Sequence, residues 1–386
     1  MSTPIHVCVA WPYANNDLHV GHLAGVLLPA DIFARYHRLR GNQVLMVSGS
    51  DAHGTPITLE AHRRGLPPRQ VFEYYHRRFL AVQQALGISY DLFTHTATEN
   101  HHRIAQDVFL RLHRAGYLYR QTQAQLYAEQ EGRFLPDRYV EGTCPHCRAP
   151  DARGDQCDHC GVQLDATELL DPRSRLDGCR PVLRQTEHWF FNLPVFTERL
   201  LAYVEQHRQH WRPRVFHFAQ QFIQGGLQGR PITRDLDWGI PLPLPGSEGK
   251  CLYVWFEALI GYLSASIEWA ANCGEPEAWQ TWWYRRDARI YNFLGKDNIP
   301  FHTVIWPAEL LGLGSFSDDA ATPSLNLPYD IPANDFLTVR GDKFSKSRGQ
   351  AVWLHDLIAQ FDPDVIRYYI TSVLPESGDA DFSWSG

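Results

Sequence analysis

The sequence predicts an α/β protein built on a Rossmann-like, doubly wound parallel sheet, with an inserted zinc-knuckle subdomain. Three observations carry this. Residues 6–50 read as strand, turn, helix, strand; the same rhythm returns beyond residue 250; and between them residues 119–220 lose it and hold four cysteines within seventeen positions.

The elements follow in order. His6–Trp11 is a short apolar run stopped by Pro12, the pattern of a buried parallel strand. Gly21–Arg40 places apolar residues at helical spacing and ends at Gly41, a C-cap signal. Gln43–Ser48 forms a second strand before Gly49-Ser50-Asp51-Ala52-His53-Gly54, completing a βαβ unit. Residues 55–118 read as largely helical. Later, 251–256 reads as a strand, 258–271 as a helix, 289–294 as a strand, 302–313 as a helix, 314–333 as a polar loop, 335–339 as a strand and 350–372 as a helix. The implied organisation is 1–118 for the first half of the Rossmann-like domain, 119–220 for the insertion, 221–333 for the second half and 334–386 for a C-terminal segment.

The chain has 386 residues, 44% hydrophobic and 20% charged, which is globular and implies two or three domains. No apolar run reaches the ~18 residues a membrane helix needs, and the N-terminus lacks a signal-peptide pattern, so a soluble cytoplasmic protein with no membrane partner is expected. A net charge of -7 argues against general phosphate-backbone binding, which needs clustered cations. Lysine occurs only at Lys250, Lys296, Lys343 and Lys346 among 36 basic residues. Arginine-rich codon usage explains the bias, and the surviving lysines draw attention.

Cys144-Pro-His-Cys147 and Cys157-Asp-His-Cys160 are two knuckles separated by nine residues. Such a pair brings four thiolates to one tetrahedral point, the donor set of a structural zinc; a redox pair or a site that has lost its metal is the other reading, and His146 and His159 are alternative ligands. Between the first strand and first helix, His19-Val20-Gly21-His22 sits where a doubly wound sheet presents backbone amides to an anion. Two imidazoles there can donate to phosphate oxygens, and Gly21 permits close approach; two surface histidines are the plain alternative. Lys343-Phe344-Ser345-Lys346-Ser347 interleaves two lysines with hydroxyls in a Gly-flanked loop. That chemistry suits a polyphosphate whose charge grows in a transition state, against the plain reading of a solvated loop.

The ordered pair HxGH then KxSKS, with a knuckle between them, resembles the methionyl type of class I aminoacyl-tRNA synthetases. The resemblance extends through Ala10–Asn15, Ser50–Ile57, Phe134–Arg138, Ile232–Asp235, Tyr253–Ala258, Leu294–Asn298 and Phe301–Thr303. It implies a class I synthetase core with the C-terminal segment as the KxSKS and partial stem-contact region. It implies His19, His22, Lys343 and Lys346 as catalytic. Tyr13, Asn15, Gly21, Lys296, Ser345 and Ser347 would hold ATP with Mg2+. Ala10, Trp11, Tyr13, Asp51, Trp255, Ala258, Leu259, Tyr262, Asn298 and His302 would hold methionine or a related amino acid, with Asp51 on its ammonium. Aromatic walls suit a thioether, since sulfur–ring contacts add to burial; core aromatics at helical spacing are the alternative for Trp255 and Tyr262.

The sequence departs from the family pattern at Glu257, where Asp is usual, and at Phe344, where Met is usual. Family members also continue past Asp381–Trp384 into a helical anticodon-binding domain. Two functions are therefore expected: adenylation of methionine for tRNA ligation, or a stand-alone, tRNA-independent ligase in small-molecule biosynthesis, such as N–N bond formation with a cupin partner. A non-enzymatic tRNA-binding paralog would show decay of HxGH and KxSKS, which are intact.

Overall fold

A computed structural model of the chain describes residues 2–384 apart from 156, 158, 161, 163, 320, 340–341 and 344–350. Its centre is a five-stranded, fully parallel sheet. Strand β1 (Pro4–Val9) is buried along its whole length, as a strand covered on both faces must be. It leads into α1, which runs Val20–His22, through a π-helical turn at Leu23–Leu27, and on through Leu28–Leu39. Strand β2 (Gln43–Ser50), helices α2 (Thr55–Arg64) and α3 (Pro68–Ala85), strand β3 (Leu92–His95) and helix α4 (Glu99–Arg114) complete the first half.

The insertion that follows is antiparallel. Long strands β4 (Leu118–Ala128) and β5 (Val182–Phe191) pair from Leu118↔Phe191 to Tyr127↔Val182. The knuckle lies between them in sequence and packs on its own small core, including Leu126, Leu135, Tyr139 and Val140. Helix α5 (Pro213–Gln224) leads to helix α6 (Val254–Asn272), strand β6 (Arg289–Gly295), a π-helical turn at Phe301–Ile305 continued by α7 (Trp306–Leu313), and strands β7 (Ala333–Asn334) and β8 (Leu337–Val339). Helix α8 (Pro363–Ser372) and strand β9 (Ala380–Phe382) close the described chain; β9 pairs parallel with β8.

The central order is β7-β6-β1-β2-β3. The first half winds away from β1 on one side, and the second half places β6 on the other, with Val9 beside Phe293. This reversal is the topological switch of a doubly wound sheet, and the crevice past the carboxyl ends of β1 and β6 is where such folds bind ligands.

Several sequence expectations need adjustment. Leu92–His95 is a third parallel strand inside the stretch expected to be helical; four residues with polar flanks give too little periodicity to announce it. The strand expected over 251–256 stops at Leu252, and α6 starts at Val254, with Glu257 in its first turn favoured by the helix dipole. The helix expected over 350–372 is two pieces, Leu354–Ile358 and α8, because Pro363 starts a new helix behind Asp362, whose side chain accepts from the Asp364 N–H. Among the described residues no helix is long and apolar enough to cross a membrane.

One ion-pair cluster ties the insertion to the second half. Asp235, on the short strand Thr233–Asp235, accepts from Thr186 (2.8 Å), lies 3.1 Å from His188 Nε2 and pairs with Lys250. Burial alone would raise its pKa; His188 and Lys250 outweigh that and hold it down to about 2. A carboxyl depressed in the folded state stabilises above its unfolded pKa of ~3.9, and the contribution is lost as pH falls through about 2. Asp235→Asn is therefore expected to lose about 2 kcal/mol at neutral pH and to converge with the parent between pH ~4 and ~2. Urea midpoints taken across that range check it; parallel curves would refute it.

Candidate functional site

The switch point opens into a cavity of about 1080 Å³. Part of its wall comes from segments that follow parallel strands: Ala10–Tyr13 after β1, Asp51 after β2, Gly295, Asp297 and Asn298 at β6 and Asp335–Leu337 after β7; α6 and the insertion supply much of the rest. The architecture, rather than sequence proximity, gathers them.

The His19 turn is built by its own side chains. His19 Nδ1 accepts from the Gly21 N–H (3.1 Å), and His22 Nδ1 accepts from the His19 N–H (3.1 Å), a reciprocal capping box in which both capping side chains are imidazoles. Each ring is thereby oriented, with centroids 3.9 Å apart. Both line the cavity with Gly21. The segment after the second lysine-bearing motif is fastened to this same turn: Val20 N–H donates to Val352 C=O (3.0 Å) and Leu354 N–H to Leu18 C=O (2.9 Å). The preceding segment, Asp342–Lys343, pairs with Thr338–Val339. Thus the described residue pair before 344–350 is held by β8, and the segment after it is fastened to the histidine turn. Ser345, Lys346 and Ser347 lie outside the described residues, as does the side chain of Lys343.

Asp51 sits at the end of β2 with 4% exposure. Its backbone is locked to the first loop: the Asp51 N–H donates to Pro12 C=O (2.9 Å) and Ala14 N–H to Asp51 C=O (3.0 Å). Its carboxylate accepts from the His53 N–H (3.1 Å). Burial first, and the nearby Glu257 carboxylate second, push its pKa well above the usual range. An ammonium entering this pocket would reverse that pressure by pairing with the ionised form.

The apolar end is aromatic. Trp255 stacks on Phe301 at 4.1 Å and meets Tyr13 edge-on at 6.3 Å. His302 Nδ1 lies 3.0 Å from the Asn298 carbonyl, which can only accept, so that nitrogen carries the proton. Its Nε2 then accepts from the Tyr262 hydroxyl at 2.8 Å. Burial holds the His302 pKa down to about 4, consistent with a neutral ring. Trp11 is wedged between glycines; a Cβ on Gly49 would lie 2.3 Å from its ring and one on Gly261 2.9 Å. Ala258 and Leu259 complete this wall.

The expected residues divide accordingly. All ten expected for the amino acid line the cavity, as do His19, Gly21 and His22. Asn15 and Lys296 stand outside its lining. Lys296 Nζ pairs with Asp335 (3.0 Å) and Asp379 (2.5 Å), the latter from the segment leading into β9. Sequence reasoning missed both aspartates, and it missed His53 and His101, which bracket Glu257; their partners are remote in the chain, and a histidine pair on a helix was the one available signal.

At the knuckle, Cys144, Cys147, Cys157 and Cys160 bring their sulfurs within 4.8 Å of one another. Cys144 lies 3.9 Å from Cys160, and Cys147 3.6 Å from Cys157. A tetrahedral ion with ~2.3 Å bonds to sulfur requires separations of roughly 3.8 Å, so the cluster fits a closed four-thiolate site. Backbone N–H groups of Cys147 and His146 help hold the Cys144 thiol at about 6, favouring the ligating form.

Comparison with known proteins matches residues 5–386 to the family model "tRNA synthetases class I (M)". The chain is 62% identical over 386 residues to the methionine--tRNA ligase of Thermomicrobium roseum, and 56% identical over 384 residues to that of Dehalococcoides mccartyi. It is fully covered in both matches, and spans 65% and 68% of those proteins. The crystal structure of Mycobacterium tuberculosis methionyl-tRNA synthetase bound by methionyl-adenylate superposes with a TM-score of 0.74 at 26% identity, covering all of this chain and 67% of that one.

The Trp11 clamp predicts a mutational contrast. Gly261→Ala forces a methyl against the indole and is expected to cost about 1–3 kcal/mol. Gly25→Ala, with nothing within 4 Å of the new Cβ, is expected to leave stability unchanged or raised. Denaturant midpoints of the two variants provide the check.

Proposed function

We propose that this chain, which belongs to the class I tRNA synthetases of the M type, activates methionine with ATP and serves the transfer of methionine to tRNA. The observation that carries this is the cavity at the switch point. It joins a buried carboxylate for an ammonium, an aromatic cage for a thioether and an oriented histidine pair, and the segment after the second signature is fastened beside that pair. The methionyl-adenylate in the Mycobacterium tuberculosis structure supports the same assignment.

The chemistry follows from the groups present. Asp51 holds the ammonium, and Trp11, Tyr13, Trp255, Ala258, Leu259, Tyr262, Asn298 and His302 enclose the side chain. A methionine carboxylate oxygen attacks the α-phosphorus of ATP; the new P–O bond forms as the bond to the β-phosphate oxygen breaks, and pyrophosphate departs with that electron pair. His19 and His22, with Lys343 and Lys346, stabilise the charge gathering on the phosphates, while Tyr13, Gly21, Ser345 and Ser347 position the nucleotide. Mg2+ brought with ATP neutralises phosphate charge. Four thiolates close a coordination shell, so the knuckle holds a structural Zn2+ that orders the insertion.

The named relatives match along all of this chain and are methionine--tRNA ligases, so a tRNA-independent ligase working with a cupin partner is not favoured. The chain spans 65% and 68% of the length of those relatives.

Methionine-dependent ATP–pyrophosphate exchange without tRNA is expected, and Lys346→Ala is expected to slow it by a factor on the order of 10² or more, as loss of a transition-state donor does. Exchange that is absent with methionine, or untouched by the substitution, would refute the assignment. Elemental analysis is expected to find about one zinc per chain, and Cys144→Ser to lower it and destabilise the insertion; metal-free purified protein of full stability would rule the site out.

A further inference from the structure

Beneath the cavity floor lies a polar hub that the reaction does not directly use. Glu257, on α6, is fully buried. Its Oε1 lies 2.8 Å from His53 Nδ1 and its Oε2 2.7 Å from His101 Nε2. His101 Nδ1 lies 2.7 Å from the Ser264 hydroxyl, which is 3.1 Å from the Gly261 carbonyl. The His101 Nε2–H thus gives the buried carboxylate a hydrogen-bond donor, which such a group requires. His53 in turn fixes Asp51 through its backbone N–H at 3.1 Å. Two buried carboxylates, Asp51 and Glu257, are therefore joined through a single residue.

The expected residue at this position in the family pattern is Asp, one methylene shorter, whereas Glu257 reaches both imidazoles at once. Resting on the proposed function, we propose that Glu257 is a positioning residue for the amino-acid ammonium: held between His53 and His101, its charge governs whether Asp51 meets the ammonium as a carboxylate. Like charge in a dry site disfavours a second ionisation, and Asp51 is shifted upward by burial first and by Glu257 next. Glu257 itself stays ionised, since its two histidines outweigh burial and hold it at about 2.

The surrounding titratable and charged groups are few. Tyr13 faces Asp51 from the loop after β1, with Tyr253, Arg138 and Asp155 beyond it. His102 of α4 packs on His53 at 5.3 Å, His95 of β3 and Glu268 of α6 lie near His101, and Cys251 lies near Glu257 and Asp237. The His53 backbone N–H pulls Asp51 toward ionisation; burial first, and then the Glu257 anion, oppose it.

The test measures the KM for methionine in ATP–pyrophosphate exchange and the inhibition constant of 4-methylthiobutanoate, which lacks the amine, between pH 5.5 and 9. In the parent, methionine KM is expected to rise about tenfold per unit below an acidic limb, while the inhibitor shows none. Glu257→Gln keeps the side chain's size and removes its charge, so the limb moves to lower pH by about one unit or more. Glu257→Asp keeps the charge and the parent limb. A limb unmoved in Glu257→Gln overturns the proposal, as does the same limb for the inhibitor. Loss of both ligands at every pH in Glu257→Gln would make the residue a packing element and overturn it too. Parent protein with no methionine-dependent exchange would instead refute the functional reading on which it rests.

Discussion

The structure depends on one constraint of parallel sheets: neighbouring strands run the same way, so every connection must cross over, and where the crossing direction reverses the chain leaves a gap. Here the gap lies past the ends of β1 and β6, where Ala10 N–H still bonds to Phe293 C=O at 2.9 Å before the two segments part. The histidine turn, Asp51 and the aromatic wall all line the cavity that opens there. The sheet delivers Ala10–Tyr13, Asp51 and Asn298 near strand ends, and α6 brings Trp255 and Tyr262 across to them.

Buried charge is the second organising cost. Asp51 and Glu257 are 4% and 0% exposed; two imidazoles meet Glu257, and the His53 backbone N–H meets Asp51. An imidazole can donate while carrying either a full charge or none, so each ring can satisfy the Glu257 carboxylate in either protonation state. Farther out, Lys296, Asp335, Asp379 and Arg214 form a second cluster that joins the end of β6 to the segment before β9. It joins β8 and the Phe336 N–H before it to the segment leading into β9.

Much of this was legible in the chain. The first βαβ unit, the return of the rhythm after residue 250 and the four-thiolate knuckle are local signals, each contained within a few dozen residues. The same is true of HxGH and KxSKS, whose ordered combination pointed to the family. What escaped was short or remote. Strand β3 has four residues and no clear period. The junction at Leu252–Val254 hid a helix start inside an apolar run, since burial on both faces makes strand and helix look alike there.

The sequence by itself determined the fold class and singled out the four cysteines whose sulfurs gather at one point and many residues that line the cavity, because periodicity, Cys spacing and motif order are properties of the chain. Only the tertiary structure decided the polar hub. His53 and Glu257 are separated by 204 positions, and His101 and Glu257 by 156, so no local pattern reports that they share protons. It likewise decided that Lys296 faces two aspartates and that the segment after the loop is stitched to Leu18 and Val20. Hydrogen bonds and ion pairs act over about 3 Å in space whatever their separation along the chain, and folding alone sets those distances.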